Sequence, residues 1–298
     1  MQLASRPHDQ PLVSIALSAF NAAETIGLTI ASILGQTYTD WELLVLDDGS
    51  TDATARLVRE IGDDRIRLIS DGQNRGLAVR LNQAIDLAQG ELFARIDADD
   101  IAYPDRLEKQ VRFLIEHPEV DLLACAMMVF AEGGQPVGFY PTRTSHAEIC
   151  AKPLSGFYFP HPTWLGRIRW FRHWRYDPDC RKAQDQDLLL RAYSTSRFAA
   201  LSEPLIGYRQ ERISVRKSFL GRFYFSRAIV KVARGELGSV SVLPHVALQI
   251  AKGVADAIAI TTGLERRLLR HRAQPFAPQQ ARIWTSVWNQ CSARATSA

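Results

Sequence analysis

Two groups of carboxylates in this chain are spaced to hold a cation and, through it, a phosphate. Asp47 and Asp48 follow the apolar run Leu43-Leu44-Val45-Leu46 and lead into Gly49-Ser50-Thr51-Asp52. Asp97-Ala98-Asp99-Asp100 follows Leu92-Phe93-Ala94-Arg95-Ile96. Carboxylate oxygens are hard ligands for Mg²⁺ or Mn²⁺ and acceptors for ribose or base donors. Three carboxylates within four residues repel one another unless water or a cation neutralises them.

Both apolar runs have the length of a buried strand, and a helical pattern follows each. That alternation predicts parallel strands, and open parallel sheets bind ligands beyond the carboxyl ends of their strands. Leu12 to Leu17 predicts the first strand, ending at Ser18-Ala19-Phe20-Asn21. A helix is expected over 24–36, with Ile26, Ile30, Ile33 and Leu34 on one face. Ser50-Thr51-Asp52 should cap a second helix carrying Ala55, Leu57, Val58 and Ile61.

Arg65 to Ser70 reads as a third strand, and Asn74-Arg75-Gly76 as a turn before a helix that stops at Gly90. Pro104 opens another helix through Leu107, Val111 and Leu114, and Val120 to Val129 is again strand-like. This β-α-β-α order predicts a layered α/β domain with right-handed crossovers through about residue 130. Beyond it come a hairpin turn at Gly133-Gly134, an aromatic and proline stretch Phe157 to Pro162, a helix Asp185 to Tyr193 and a strand near Ala199 to Tyr208. From Phe219 the pattern is mainly helical; past Gln274 it is weak apart from Ile283, Trp284, Val287 and Trp288.

Composition narrows the function classes. With 298 residues, 46% of them hydrophobic, the chain can bury a substantial core and is not a disordered polymer. The net charge of +4 is modest, but acids concentrate before about residue 120 while Arg and Lys dominate from Arg167 onward. A basic carboxyl-terminal region suits an anionic partner such as lipid headgroups or a phosphorylated substrate. Nucleic acid is not expected, because the charge is small and no stacking platform is evident. Cys125, Cys150, Cys180 and Cys291 form no CxxC pair and fit a reduced compartment. Met1 to Gln10 has no apolar core and is not read as a secretory signal. Val240 to Leu264 is apolar but broken by Pro244, His245, Lys252 and Asp256, so it is not read as a membrane span. The expected location is cytoplasmic, either free or peripheral at the inner face of the membrane.

Taken in order, several motifs resemble family 2 of the inverting glycosyltransferases. They are Val13-Ser14-Ile15 with Phe20-Asn21, Ser32 to Thr37, Asp47 to Asp52, Asn74 to Ala78, Asp97 to Asp100 with Pro104 to Leu107, His161-Pro162-Thr163, and Asp185 to Leu188. The likeness spans roughly residues 11 to 215, and several motifs in register carry more weight than any one. It implies a GT-A fold, a Rossmann-like layered mixed sheet flanked by helices. The implied domain is 1–215, with a nucleotide-sugar half over 11–130 and an acceptor half over 131–215; a mainly helical, basic region, 216–298, would follow.

The resemblance also implies roles. Asp48 would contact uracil or ribose, with Ser18, Phe20, Asn21 and Arg75 also on the nucleotide. Asp97 would meet the ribose, while Asp99 and Asp100, as the DXD motif, would hold Mn²⁺ or Mg²⁺ against the diphosphate. Asp185 would be the general base, although Gln184 stands where relatives carry an acid. Arg209 of Tyr208-Arg209, or Arg212, would meet the diphosphate, since Gln210-Glu211-Arg212 lacks the His often found there. Arg75 and Arg80 are further candidates for phosphate or base contacts, or else solvated helix charges. His161 could be structural or catalytic, and Asp187 supports the start of its helix. The donor would be a nucleotide sugar, most plausibly a UDP-sugar, and the acceptor a saccharide or lipid-linked saccharide.

The basic carboxyl-terminal helices, with Arg222, Arg227, Lys231 and Arg234 and later Arg266, Arg267, Arg270 and Arg272 beside Leu264, Leu268 and Leu269, would either lie on a membrane or pack as a solvated appendage. A silent sugar-nucleotide-binding subunit is the rival of a different class. A nucleotidyltransferase is disfavoured, because Ser18 to Ala23 lacks a Gly-rich phosphate loop.

Overall fold

The computed structural model describes residues 10–210, 214–235, 242–262 and 274–297. The apolar runs do become buried strands. β1 (Val13–Ala19), β2 (Trp41–Asp47), β3 (Ile66–Ser70) and β4 (Leu92–Asp97) are mutually parallel, with β1 between β2 and β4 and β3 outside β2. Register brings their carboxyl ends level: Ser18 lies opposite Leu46 and Asp97, and Ala19 opposite Asp47. The two acidic clusters are therefore neighbours at one edge of the sheet.

Residues beyond β4 extend the same sheet rather than forming another. β5 (Ile101–Ala102) pairs antiparallel with β9 (Phe198–Arg209), which runs parallel to β6 (Leu122–Phe130). β8 (Leu165–Arg167) is antiparallel to both β4 and β6 and joins the halves. β7 (Pro136–Tyr140) returns along β6 through Gly133-Gly134, both at positive φ. The result is one nine-stranded mixed sheet.

Period-two alternation sends Leu44 and Leu46 into a core on one face and Leu43 and Val45 into a core on the other. The first core is closed by α3 (Leu77–Leu87), α6 (Ile168–Trp174), α7 (Gln184–Ala192) and part of α8 (Val215–Gly235). The second is closed by α1 (Ile26–Leu34), α2 (Thr54–Glu60) and α4 (Arg106–Glu116). A short α5 (His146–Ile149) carries a capping box between Ser145 and Glu148. The cap expected at 50–52 is not formed: the N-cap position of α2 is Ala53, which has no side-chain cap bond. Asp52 instead accepts from the Thr54 amide at 2.9 Å and from the Ala23 amide at 3.0 Å, and so ties the β1 loop to the start of α2.

Beyond β9, α8 pairs with α9 (Leu243–Thr261). By length and composition α9 could cross a membrane, and only 11% of that stretch is buried in the chain. Its polar residues are segregated to one side, where Asp256 and Gln249 bond Arg222 of α8 at 3.1 Å each. The weakly patterned tail is also a helix, α10 (Pro278–Ser297), and it packs back onto the sheet. Trp284 is fully buried against Phe130 and Tyr103 and donates its indole N–H to the Gly134 carbonyl at 2.7 Å. Arg212, Leu264, Arg266, Arg267, Leu268, Leu269, Arg270 and Arg272 lie outside the described residues, as does the side chain of Arg234.

Candidate functional site

The loops after β1 and β2 meet, and the latter crosses the 73–74 segment closely. Gly49 has φ +78°, and a Cβ there would lie 2.8 Å from the Gln73 carbonyl carbon, so only glycine lets the 47–52 loop pass beneath 73–74. Asn21, also at positive φ (50°), accepts from the Thr51 amide at 2.9 Å while its own amide donates to the Ser50 hydroxyl at 3.0 Å. Phe20 beside it is half exposed, at 51%.

Asp48 is buried. Its Oδ1 accepts from the Arg75 amide (2.7 Å), the Gly76 amide (3.2 Å) and Arg80 Nε (2.9 Å), and its Oδ2 from the Gly76 amide (3.0 Å). The carboxylate thus fixes the turn that opens α3. Asp47 accepts from the Ser50 amide at 3.1 Å and the Ser70 hydroxyl at 2.7 Å. Arg80 corrects the sequence reading on both of its options: it is neither solvated nor displayed to a ligand. It is fully buried and bridges Asp48, Asp71 and the Gln73 carbonyl. Arg75 remains exposed on the rim, paired with Asp71 at 2.9 Å.

At the end of β4, Asp97 is ion-paired with Arg95, and Asp97 and Asp99 are half-buried. Asp100 is fully buried; Oδ1 accepts from the Arg209 amide at 3.0 Å, and Oδ2 has no hydrogen-bond partner. Burial first, then the charge of Asp99, raises its pKa well above the usual carboxylate range. Arg209 folds over this turn, its Nε donating to the Asp99 carbonyl at 3.1 Å and its guanidinium lying 4.8 Å from the centre of the Phe130 ring.

Among the described residues no cluster of three or more His, Cys, Asp or Glu side chains converges as a complete metal cage. The donor chemistry still fits a hard divalent ion, which binds one or two carboxylates and completes its shell with phosphate oxygens and water. The orphaned Oδ2 of Asp100 is the kind of buried acceptor such an ion would satisfy.

The other expected site residue, Asp185, is carried by α7. Ala183 precedes it at φ 56°, in the left-handed region. Half-buried Asp185 sits in its first turn and accepts from Gln186 Nε2 at 3.0 Å, while Gln186 Oε1 accepts from the Phe157 amide at 2.8 Å. Asp187 turns inward to Arg191 at 2.9 Å, as a support for the helix. His161 bonds the Tyr176 hydroxyl at 2.8 Å and packs edge-on against Trp164. Desolvation, reinforced by Arg95, holds His161 well below its ordinary pKa, so it is neutral.

Arg95 is the residue that sequence reasoning passed over. Its guanidinium is buried beneath the site, and burial depresses its pKa against the opposing fields of Tyr176, Asp100, Asp185 and Asp99. It is thus the buried cation within electrostatic reach of both the 97–100 turn and Asp185. The signal was present in the sequence as a lone arginine inside an apolar strand. A cavity of about 640 Å³ opens between the 74–78 turn and the 178–184 segment, lined by Arg75, Gly76, Arg181 and Gln184.

Comparison with known proteins gives the family and the fold. Residues 14–175 match the family described as "Glycosyl transferase family 2". The "Putative glycosyltransferase EpsE" of Bacillus subtilis (strain 168) is 36% identical over 208 residues, covering 67% of this chain and 74% of that protein. S. aureus TarS 1-349, solved in complex with UDP-GlcNAc, superposes with a TM-score of 0.62 at 18% identity, over 94% of this chain and 81% of the other. Mannosyltransferase PcManGT from Pyrobaculum calidifontis, solved with GDP-Man and Mn²⁺, superposes with a TM-score of 0.58 at 19% identity, over 99% of this chain and 88% of the other.

Proposed function

The chain belongs to glycosyl transferase family 2 and is a glycosyltransferase with a GT-A fold; from that premise we propose that it moves a sugar from a UDP-sugar to an acceptor hydroxyl with inversion at the anomeric carbon. The observation that carries this reading is the gathering of Asp97, Asp99, Asp100 and Asp185 around one buried cation, Arg95. In this reading phosphate-type chemistry and a base share one electrostatic neighbourhood. That a structural neighbour was solved with UDP-GlcNAc supports the nucleotide.

Ser18, Phe20, Asn21, Asp48 and Arg75 receive the nucleoside. The single hydrogen bond described at Asp48 Oδ2 leaves a lone pair there for a uracil or ribose donor. Asp97, held by Arg95, takes the ribose, and Arg209 stands over the 97–100 turn to meet the diphosphate. Asp99 and Asp100 would hold Mn²⁺ or Mg²⁺, which supplies Lewis-acid neutralisation of the departing nucleoside diphosphate. Asp185, with one oxygen fixed by Gln186, removes the proton from the attacking hydroxyl. One in-line displacement then inverts the anomeric configuration without a covalent enzyme intermediate.

In this reading 1–215 is the catalytic unit and 216–298 serves the acceptor side. The enzyme works from the cytoplasm, peripheral to the inner membrane, in the synthesis of a cell-surface saccharide.

The test is UDP-sugar turnover with Mn²⁺ for the wild type and for Asp185→Asn. The variant should retain UDP affinity and lose roughly 10²–10⁴-fold in transfer rate, the range for removing a general base. Equal activity in both proteins sinks the assignment of Asp185. Inert wild type and variant that both bind UDP favour a silent sugar-nucleotide-binding subunit.

A further inference from the structure

His161 and Tyr176 form a hydrogen-bonded pair that the proposed transfer leaves unused. Tyr176 is 2% exposed, and its hydroxyl lies 2.8 Å from His161 Nε2. The phenol is anchored from two helices. The Tyr176 amide donates to Asn82 Oδ1 at 3.0 Å and its carbonyl accepts from Asn82 Nδ2 at 2.9 Å, which ties it to α3. Arg191 of α7 donates to the preceding Trp174 and Arg175 carbonyls at 2.8 Å each. Arg175 itself sits at φ 51° and grips Asp86 of α3 through both Nη atoms, at 2.5 Å and 2.8 Å.

One proton decides the direction of the pair's hydrogen bond. A hydroxyl that accepted from Nε2 would have to place its own hydrogen on another acceptor, and among the described residues the Tyr176 hydroxyl has none. An unpaired buried O–H costs about 1–3 kcal/mol. Burial raises the Tyr176 pKa, so that hydrogen is present, and Arg95 acts on the phenol more strongly than Asp185 does. A hydroxyl dipole orients with its oxygen toward a nearby cation. Tyr176 therefore donates and Nε2 accepts. Since His161 is neutral, its one ring hydrogen is on Nδ1.

Nδ1 makes no hydrogen bond among the described residues, and the half-buried ring leaves it open to solvent. Arg95 acts on the His161 ring, on Asp99 and Asp100, and on Asp185 alike. The open N–H thus stands in the same electrostatic neighbourhood as the proposed metal ligands and base. We propose that His161, locked by Tyr176 as the Nδ1–H tautomer, donates this hydrogen to a sugar oxygen during transfer. Tyr176 is its positioning residue. A nitrogen that already carries its hydrogen cannot take one from the attacking hydroxyl, which leaves that step to Asp185. The oxygen belongs either to the sugar being moved or to the acceptor. This rests on the transferase reading above and adds a contact to it.

Two measurements test it. The first is long-range ¹H–¹⁵N NMR of the imidazoles in the ligand-free, ¹⁵N-histidine-labelled full-length protein at neutral pH, with His161→Asn identifying the signal. His161 should show a protonated Nδ1 and an unprotonated Nε2, and Tyr176→Phe should release it into a tautomer mixture. A hydrogen on Nε2 in the wild type, or no change in Tyr176→Phe, overturns the lock. The second is turnover of UDP-glucose and UDP-GlcNAc with Mn²⁺, read on whichever the wild type uses faster. His161→Leu should lose roughly 2–12-fold in kcat/KM, the range for one neutral hydrogen bond. His161→Asn, whose amide N–H takes the place of Nδ1–H, should recover most of that loss, and UDP affinity should not change in either variant. A rise in KM for the UDP-sugar locates the oxygen on the moving sugar, whereas a fall in kcat at unchanged KM locates it on the acceptor. Equal kcat/KM for wild type and His161→Leu overturns the contact. A wild type that turns over neither sugar overturns the transferase reading instead, while the NMR still decides the lock, so the two failures are separable.

Discussion

Asp48 and Arg80 form a buried ion pair, 2.9 Å apart, and it fixes the 74–76 turn through the Arg75 and Gly76 amides. Truncating one partner strands the other charge in a low-dielectric interior. Arg80→Leu should therefore cost about 3–5 kcal/mol in urea unfolding and weaken UDP binding, because the turn loses its anchor. An unchanged unfolding midpoint would show that Arg80 is not the tie described. His161 gives a pH signature. In the folded protein it stays neutral, faced by Arg95 from β4, the Tyr176 phenol and the Trp164 ring. The unfolded chain protonates near pH ~6.5, its ordinary value. Below that pH the unfolded state binds the extra proton, so stability falls as pH falls, by at most about 1.4 kcal/mol per pH unit from this group. His161→Gln should flatten the melting temperature between roughly pH 5 and 6.5; an unchanged slope would remove His161 as its source. The carboxylate positions themselves were legible in the sequence, since clustered acids after a buried strand leave few structural explanations. Arg95 and Tyr176 were not, because their importance comes from what surrounds them in space.

At the level of elements, the four parallel strands follow the apolar runs within a residue or two, and register alone aligns Ser18 with Asp97. The helix α10 was the larger surprise. Trp284, Val287, Trp288 and Cys291 recur at helical spacing, but a stripe this narrow has meaning only against its receptor, which is Tyr103, Phe130 and Gly207 on distant strands. A Cβ at Gly207 would collide with the Trp284 ring, so this strand position accommodates the indole by lacking a side chain. Trp284→Ala should cost about 3–5 kcal/mol, read by thermal or urea unfolding, whereas Ile283→Ala on the exposed side of the same helix should cost little. Comparable losses from both would mean that α10 is not docked through Trp284.

Across the whole molecule, the sheet's carboxyl edge holds the acids and the α8–α9 hairpin holds the cations, which is the charge asymmetry of the sequence given a geometry. Chelation by EDTA should abolish sugar transfer and Mn²⁺ should restore it, while the melting temperature of the ligand-free protein stays within about a degree, since a site completed by substrate phosphate contributes little to folding. Full turnover in EDTA would remove Asp99 and Asp100 from a metal role. The sequence by itself determined the succession of strands and helices through about residue 130, the placing of acids at strand ends and the family, because these depend on local periodicity and on motifs a few residues long. Tertiary structure decided the rest. It turned Arg80 inward, set Arg95 beneath both halves of the site, seated α10 on the sheet, and sorted the polar residues of α9 to one side. Each of these depends on which distant surfaces meet, and burial, pairing and pKa are properties of that meeting rather than of any single segment.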